Sequence, residues 1–364
     1  MTIRKKISWS EPDISVEDKK ILKDVIDSEW YSQGKYSKLI ESEICKYTGA
    51  KHAVFVNNGT SALIAAFMIS DLKQGDEVLV PSFTFIATIN SLISQGLKPV
   101  LVDCDSETFN VTADNLKEKL TSKTRAVLAV DVYGMPFDID EIKKFCGEHN
   151  LILIEDAAEA LGAAYKGKKI GGFGHTTIFS FHIAKICTSI EGGAIATDCE
   201  EAYNKLKMIR EHGMLKKYDY EVFGLNFKST DINCALGYNQ LLRIEKFLEH
   251  RHKIADRYYS NLKGIAGFQT IPEYVDSHPY MIFGTLVAAE KRDILNKALN
   301  DAGVETRICW QPCHKQQYHS NLFKDIKLPV SENIYSKILN PPMSNRLTIE
   351  DTDYICDIYK KILK

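Results

Sequence analysis

Short apolar runs alternate along the first two thirds of the chain with longer segments of mixed polarity. The runs predict buried strands, because strands covered on both faces carry continuous apolar sequence. They lie at 53–56, 77–80, 99–102, 126–130, 151–154 and 176–181. The segments between them are long enough for helices, so the pattern favours a wound α/β sheet.

The remaining sequence predicts a second, smaller unit. A long helical pattern at 230–262 forms a natural bridge, and it is followed by a predicted strand at 281–288, a helix at 291–302 and a final helix at 350–363. A chain of 364 residues has room for roughly two domains of ~150 residues. We therefore expect a large domain at 1–245 and a small C-terminal α/β domain at 246–364.

Composition and charge narrow the choice of partners. The chain is 45% hydrophobic and 26% charged, which is typical of globular proteins. Its net charge is −2 and it has no basic tract, so neither nucleic acid nor an anionic membrane is an expected partner. No run of about 18 uncharged apolar residues predicts a membrane span. The basic residues 1–6 precede a polar segment, unlike a secretory signal. These features predict a cytoplasmic protein.

The nine cysteines lack paired spacing, which favours reduced thiols over a disulfide framework. The nearest pair is Cys309 and Cys313, with His314 and His319 close by in the sequence. A metal site would need a further cysteine or histidine pair, and none follows. We therefore interpret these residues as ordinary packing residues and expect no metal.

A carboxylate and a lysine are the first candidates for chemistry. Asp156 follows the predicted strand at 151–154, where open α/β sheets bind their ligands, and the run at 176–181 leads toward Lys185 in the same cleft. A lysine amine forms a Schiff base with the aldehyde of pyridoxal 5'-phosphate (PLP), while a carboxylate pairs with its protonated ring nitrogen. Lys185 and Asp156 are therefore the predicted catalytic residues of a PLP enzyme.

A phosphate site is predicted one strand away. Gly59, Thr60 and Ser61 follow a strand and open the apolar helix at 62–69, so their N–H groups and hydroxyls can bind a phosphate at a helix N-terminus. The alternative is a simple helix cap, since Thr and Ser are favoured there without any ligand. Beside Lys185 and Asp156, the phosphate interpretation is preferred.

Several motifs resemble those of the DegT/DnrJ/EryC1/StrS family of nucleotide-sugar aminotransferases. The resemblance rests first on residues 155–162, on Ser180-Phe181-His182 with Lys185, and on Glu191-Gly192-Gly193. It extends over nearly the whole chain, with further matching segments at 58–63, 81–88, 224–227, 231–232, 305–307 and 310–314. It implies a fold-type I, aspartate aminotransferase-like transferase that uses PLP, L-glutamate and a keto-sugar joined to UDP, GDP or dTDP.

The same resemblance assigns roles to individual residues. It implies that Ser180 binds the cofactor phosphate, that Phe85 stacks on the pyridine ring and that Glu159 lies near the ring hydroxyl. It further implies a homodimer with a shared active site, in which Asn226 reaches the phosphate of the other protomer. Without the resemblance, Phe85 would be interpreted as a core residue.

Candidate substrate residues are less well defined. His182 can face the substrate or serve as a structural histidine. The other candidates are Tyr31, Ser32 and His314. One departure from the family pattern is Ile190, where glycine commonly precedes the Glu-Gly-Gly motif; we expect a branched residue to keep φ below zero at this turn.

The resemblance also bears on the reaction. Relatives that dehydrate a keto-sugar carry histidine in place of Lys185, so this chain is expected to be a transaminase. His182-x-x-Lys185 with Glu191-Gly192-Gly193 resembles members that act at C4, which predicts conversion of a 4-keto-6-deoxy sugar to the 4-amino-4,6-dideoxy sugar for a surface polysaccharide such as O-antigen. A C3-directed enzyme and a non-catalytic PLP-binding regulatory or structural protein remain alternatives; retention of Lys185, Asp156 and Ser180 argues against the last.

Overall fold

The computed structural model describes residues 6–364. Residues 1–5 of the predicted large domain lie outside the described residues. The strands, in chain order, are β1 (His52–Val56), β2 (Glu77–Pro81), β3 (Lys98–Val102), β4 (Thr124–Val130), β5 (Ile152–Asp156), β6 (Ala164–Tyr165), β7 (Lys168–Lys169), β8 (Thr176–Ser180), β9 (Gly193–Thr197), β10 (Met214–Lys216), β11 (Asp219–Tyr220), β12 (Gly267–Phe268), β13 (Val275–Ser277), β14 (Thr285–Leu286) and β15 (Ile338–Leu339). The helices are α1 (Val16–Asp27), α2 (Lys35–Thr48), α3 (Gly59–Ile69), α4 (Ile86–Ser94), α5 (Ala113–Lys117), α6 (Ile139–Glu148), α7 (Glu200–Arg210), α8 (Asp231–Leu241), α9 (Ile244–Leu262), α10 (Ala289–Asp301), α11 (Pro329–Lys337) and α12 (Ile349–Leu363).

A seven-stranded sheet in the order β1-β9-β8-β5-β4-β2-β3 forms the centre of the fold. Strands β3, β2, β4, β5 and β8 run parallel, whereas β9 pairs antiparallel with both β8 and β1. All six apolar runs predicted as strands lie in this sheet. Their continuous apolar sequence has a simple cause: Phe55 packs into the core on one face, and its neighbours Val54 and Val56 pack into the core on the other.

A separate hydrophobic core lies in the C-terminal part, where β12, β14 and β15 form a small sheet beside α9, α10 and α12. Ile7, which the predicted division assigns to the large domain, packs in this core and bridges to Val304. The predicted boundary falls in the first turn of α9, and the division into 1–245 and 246–364 stays a prediction. Within residues 6–364, no helix has the length and apolar content to cross a bilayer.

Two predicted elements differ from the structure. The helical pattern at 230–262 is two helices, broken where Arg243 turns to bind Asp18 (Nη2 to Oδ2, 2.5 Å). The strand predicted at 281–288 is shortened to β14. Arg251 donates hydrogen bonds to the backbone carbonyls at the start of the predicted strand, so these carbonyls are not free to pair with another strand. The guanidinium of Arg251, which is fully buried, donates to the carbonyls of residues 279, 280, 281 and 343 and to Oδ1 of Asn345.

Candidate active site

A cavity of about 310 Å³ opens at the carboxyl ends of β4, β5 and β8. This is the edge at which open α/β sheets bind ligands. Eight of the predicted site residues line it together: Gly59, Thr60, Phe85, Asp156, Glu159, Ser180, His182 and Lys185. Residues far apart in the chain therefore meet because their strands are neighbours in the sheet.

The N-terminus of α3 forms one end of the cavity. Asn58 caps this helix, and its Oδ1 accepts a hydrogen bond from Ser61 N at 2.8 Å. The helix approaches β9 closely because residue 193 is glycine: a Cβ there would lie 2.3 Å from Asn58 O. Ser180 lies beside Gly59 at the same end, so free N–H groups and a hydroxyl converge on a place suited to an anion.

Asp156 is the last residue of β5 and is 4% exposed. Its Oδ2 accepts from Thr88 Oγ1 at 2.8 Å, and its Oδ1 accepts from Ala158 N at 3.2 Å. Burial raises the pKa of this carboxyl to about 6, although both hydrogen bonds and Lys185 act in the opposite direction. The carboxylate is thus held in place, and a cationic partner in the cavity would stabilise its charged form.

Lys185 lines the same cavity as Asp156. Its Nζ lies 3.5 Å from Oε1 of Glu159. The loop that carries it is fixed on both sides: Ala184 O accepts from Ser10 Oγ at 3.1 Å, and Ile186 O accepts from Asn345 Nδ2 at 2.8 Å. Glu159 is itself oriented by the Tyr133 N–H, which donates to Oε2 at 3.0 Å. The lysine amine is therefore presented by a rigid backbone.

The mouth of the cavity is aromatic on one side and charged on the other. Phe85 is 51% exposed, and its ring lies 5.0 Å from that of Trp310. His182 and Glu191 face each other across the other side, with 3.7 Å between Nε2 and Oε1. An exposed phenylalanine in the wall of a cavity can stack on a flat ligand, and this position does not match the core role considered for Phe85 from the sequence alone.

Five predicted site residues do not line the cavity of this chain. Ser61 is buried in the first turn of α3, and Tyr31, Ser32 and Asn226 are exposed elsewhere on the surface. His314 is buried, with Nδ1 2.7 Å from Ser82 Oγ and Nε2 3.0 Å from Glu332 Oε1. Both of its ring nitrogens are engaged, so the geometry gives this histidine a packing role rather than contact with a substrate.

Other cavity residues had no predicted role. Thr88 donates to Asp156, and Thr84 lies 3.0 Å from Thr88 between hydroxyl oxygens. Thr84 lies just before α4 and Thr88 lies in its first turn, and both belong to the segment 81–88 that resembles the family, which is a usable sequence signal. Trp9, Met281 and Trp310 also line the cavity from distant loops, and of these three only Trp310 lies in a segment that resembles the family in sequence.

The expectation for Ile190 is wrong: its φ is +68°, in the left-handed region. Hydrogen bonds around the turn impose this conformation. Ile190 N donates to Thr188 Oγ1 at 2.8 Å, and Asn233 Nδ2 donates to Ser189 O at 2.5 Å and to Glu191 O at 3.1 Å. The turn therefore has a left-handed backbone at position 190. Glycine adopts this conformation freely, but a branched residue such as isoleucine is strained in it.

Replacing Ile190 with glycine should raise the free energy of unfolding by about 1 kcal/mol, since relief of the left-handed strain outweighs the greater freedom of the unfolded chain. Urea unfolding of the two proteins measures this difference. Ile183→Gly is the matched control, because Ile183 is also an exposed isoleucine but has no positive φ. This control should lose roughly 0.5–1 kcal/mol. Equal losses in both variants would contradict the strain at position 190.

The arrangement of groups fits PLP. An anion-binding helix end, a buried carboxylate, a lysine amine and an exposed aromatic ring face one cavity, and these are the groups that a phosphate, a pyridinium nitrogen, an aldehyde and a flat ring require. A metal is not what this donor set favours: among residues 6–364, no three histidine, cysteine or acidic side chains cluster as metal ligands. The fold and the site define a PLP-dependent aminotransferase.

The chain belongs to the DegT/DnrJ/EryC1/StrS aminotransferase family, whose sequence profile matches residues 12–360. It is similar to GDP-perosamine synthase of Vibrio cholerae, with 33% identity over 356 residues, 96% of this chain and 97% of that protein. The resemblance inferred from the motifs is therefore confirmed, and the protein is a sugar aminotransferase.

Solved structures agree with this assignment. PseC of Helicobacter pylori, an aminotransferase involved in pseudaminic acid biosynthesis, superposes with a TM-score of 0.94 at 29% identity over 99% of both chains. A sugar aminotransferase of Streptococcus pneumoniae in its pyridoxamine phosphate (PMP) form has a TM-score of 0.94 at 28% identity, covering 98% of this chain and 97% of its own. The fold class and the PLP cofactor predicted from the sequence are confirmed.

Proposed function

We propose that the protein transfers the amino group of L-glutamate to C4 of a nucleotide-linked 4-keto-6-deoxy sugar, giving the 4-amino-4,6-dideoxy sugar. The observation that carries this proposal is the convergence of Lys185 and Asp156 on a cavity that also holds the N-terminus of α3. Lys185 Nζ lies 3.5 Å from Glu159 Oε1, so the amine is held inside this cavity beside the carboxylate of Asp156, whereas a protein that only bound PLP without turnover would not need both groups there.

Each residue has a proposed task. Bound PLP supplies an aldehyde that exchanges amines and a protonated ring that accepts electrons. Lys185 Nζ moves a proton from and to the substrate carbon that carries the amine, and Asp156 holds the proton on the ring nitrogen. Phe85 fixes the plane of the ring, while Gly59, Thr60 and Ser180, which line the cavity, bind the phosphate. Glu159 orients the lysine amine, and His182 faces the incoming sugar.

The C4 position is supported by the relatives. GDP-perosamine synthase makes a 4-amino sugar, and its similarity covers 96% of this chain. The His182-x-x-Lys185 and Glu191-Gly192-Gly193 motifs point the same way, as argued from the sequence. A C3-directed enzyme of the same family is the second candidate. The amino sugar would enter a surface glycan such as O-antigen, made from nucleotide sugars in the cytoplasm.

We further propose that the working unit is a homodimer. Asn226 is exposed and does not line the cavity of its own chain, although the family resemblance assigns it to the cofactor phosphate. An exposed residue can reach a cavity in a second copy, so each active site would combine Lys185 of one protomer with Asn226 of its partner. Tyr31 and Ser32, also exposed, are proposed to contact the sugar nucleotide across the same interface.

The decisive experiment is to add L-glutamate to the PLP-loaded protein and follow the cofactor's absorbance, then to add nucleotide-linked 4-keto and 3-keto sugars one at a time. A spectral change with glutamate, reversed by one 4-keto sugar, supports the proposal, and NMR of the product locates the new amine. Reversal only by a 3-keto sugar would favour the C3-directed candidate. No response to any amino donor would favour the non-catalytic alternative.

Shared active sites predict complementation between two inactive variants. Lys185→Ala removes the amine, and Asn226→Asp places a negative charge at the phosphate and should weaken PLP binding by at least about tenfold. In a mixed dimer, one site receives both intact residues, so unfolding and refolding the two variants together should restore up to about a quarter of wild-type activity if subunits pair at random. Activity is measured as amine transfer from glutamate.

Each variant refolded alone is the control. Lys185→Ala alone should remain inactive, and Asn226→Asp alone should remain impaired. Lys228→Ala refolded with Lys185→Ala is a second control, which shows how much activity refolding alone restores. Lys228 is suitable because it pairs with Glu211 and does not line the cavity. If the mixture of Lys185→Ala with Asn226→Asp gives only the average of the two separate activities, Asn226 does not act across a dimer interface.

A further inference from the structure

A second group of ionisable side chains lies behind Asp156, outside the cavity. Asp131 follows the end of β4, Glu155 precedes Asp156 on β5, and His175 and Thr177 come from the start of β8. Asp131, Glu155 and Thr177 have no exposed surface, and the His175 side chain is 8% exposed. Alternation along β5 turns Glu155 away from the cavity that Asp156 faces. Two carboxyls are thus buried together, and within residues 6–364 no lysine or arginine is bonded to either.

One oxygen of the Glu155 carboxyl is bonded to two side chains. Its Oε2 is 3.0 Å from His175 Nε2 and accepts from Thr177 Oγ1 at 2.7 Å. A carboxylate oxygen only accepts, so His175 donates through Nε2. The other oxygen, Oε1, is buried and has no partner among the residues that the structure describes. A buried charged oxygen without a donor is strongly unfavourable, and this position requires a proton donor.

The Asp131 carboxyl also has one buried oxygen that lacks a hydrogen-bond partner among the described residues. One of its oxygens, Oδ1, accepts from Phe137 N at 3.2 Å, whereas Oδ2 is buried without a partner in the described part of the chain. Ala129 pairs with Glu155 in the parallel β4–β5 register, and Asp131, two residues further along the chain, lies on the same side of the sheet as Glu155. Complete burial raises the pKa of Asp131, and the neighbouring carboxyls of Glu155 and Asp156 raise it further. A proton on Oδ2 satisfies both orphaned oxygens at once.

We propose that Asp131 is protonated at neutral pH and donates its proton from Oδ2 to Oε1 of an ionised Glu155. Asp131 is then a positioning residue: it keeps a further negative charge away from Asp156, to whose backbone oxygen its own N–H donates at 3.1 Å. Protonation of Asp131 leaves Asp156 as the carboxylate that faces the cavity from the end of β5. The proposal concerns the protein without ligand and stands apart from the choice of sugar or donor.

Infrared spectroscopy of the wild-type protein tests the proposal without any substitution. At pH 8 the cofactor-free protein should show the carbonyl stretching band of a protonated carboxylic acid, and labelling aspartate with carbon-13 at the side-chain carboxyl should shift it. A band that moves only with labelled glutamate would place the proton on Glu155 and overturn the assignment. Absence of any acid band at pH 8 would overturn the shared proton itself.

Variants locate the proton. Asp131→Asn keeps a donor toward Glu155 and an acceptor for Phe137 N, so it should fold normally and lose the acid band. Glu155→Gln reverses the bond, since its amide donates to Asp131, and should also lose the band. Asp156→Asn is the control and should keep it. An Asp131→Asn protein that fails to fold, or a band that persists in it, would contradict a donor role for Asp131.

Unfolding supplies a second readout that packing alone would not change. The native protein holds a proton that the unfolded chain releases above the ordinary aspartate pKa, so wild-type stability falls as the pH rises. Relative to Asp131→Asn, the wild-type unfolding constant should increase about tenfold for each pH unit between pH 5 and 8. Parallel pH dependences in the two proteins would show that Asp131 binds no extra proton. Failure of transamination with these results intact would refute only the proposed function.

Discussion

Replacing Lys185 with alanine is expected to lower amine transfer by at least about 10⁴-fold, because one side chain supplies both the nucleophile and the acid–base group. The variant should still bind PLP, since the helix N-terminus at Gly59 and the carboxylate of Asp156 remain in place. The absorbance that depends on a covalent link to the lysine should disappear. Steady-state rates with L-glutamate and the keto-sugar that reverses the glutamate-induced spectral change measure the first effect, and the spectrum measures the second.

Lys185→Arg separates the proposed chemistry from a purely electrostatic role. Arginine keeps the positive charge beside Glu159 but cannot lose its proton near neutral pH, so it can neither attack an aldehyde nor carry a proton. It should be as inactive as the alanine variant. Lys168→Ala, an exposed lysine outside the cavity, should retain wild-type activity. Substantial activity in the arginine variant would show that only the charge at position 185 matters.

Replacing Asp156 with asparagine should reduce kcat by about 10³-fold, because a neutral amide cannot hold a proton on the ring nitrogen by charge. The side chain keeps its size and its neighbours Thr88 and Ala158, so the effect reports on the charge. Thr88→Val, which removes only one hydrogen bond to Asp156, should cost about tenfold. If Thr88→Val were as impaired as Asp156→Asn, the orientation of the Asp156 side chain, not its charge, would have the larger effect on kcat.

The same substitution should stabilise the cofactor-free protein. The pKa of Asp156 is raised from its usual 3.8 to about 6, so the native state binds more protons than the unfolded chain in this window, and stability falls as the pH rises through it. Above pH 6 the full penalty is present, about 2–3 kcal/mol for a buried group. Asp156→Asn lacks this penalty and should be more stable at pH 7–8 by that amount, with little difference at pH 4. Urea unfolding at the two pH values measures it, and equal stability at both would contradict the raised pKa.

Much of the site was predictable because apolar runs locate the strands of a parallel sheet. Once 151–154 and 176–181 are assigned as strands, Asp156 and Ser180 must lie at the same edge, and Lys185 follows within five residues. The prediction of a phosphate site at the N-terminus of α3 follows from a strand that leads into an apolar helix. These inferences depend on local pattern and on the common geometry of wound sheets.

Other features depend on contacts that no local pattern records. The buried Arg251 removes most of the strand expected at 281–288 by binding the carbonyls that a strand would have paired. The turn at Ile190 adopts a left-handed backbone because Asn233, more than forty residues away, holds its two flanking carbonyls. Trp310 reaches the cavity from a distant loop. In each case a long-range hydrogen bond or packing contact outweighs the local preference.

The Arg251 cluster has a consequence for exchanging parts between relatives. Its hydrogen bonds run to backbone carbonyls and to Asn345 within the C-terminal part of the chain, and Asn345 Nδ2 in turn donates to Ile186 O in the lysine loop. Because that bond ends on a backbone oxygen, any residue at position 186 provides it. A chimaera that takes residues 246–364 from another member would therefore hold the loop of Lys185 in the same way only where that segment supplies an arginine at position 251 and an asparagine at position 345.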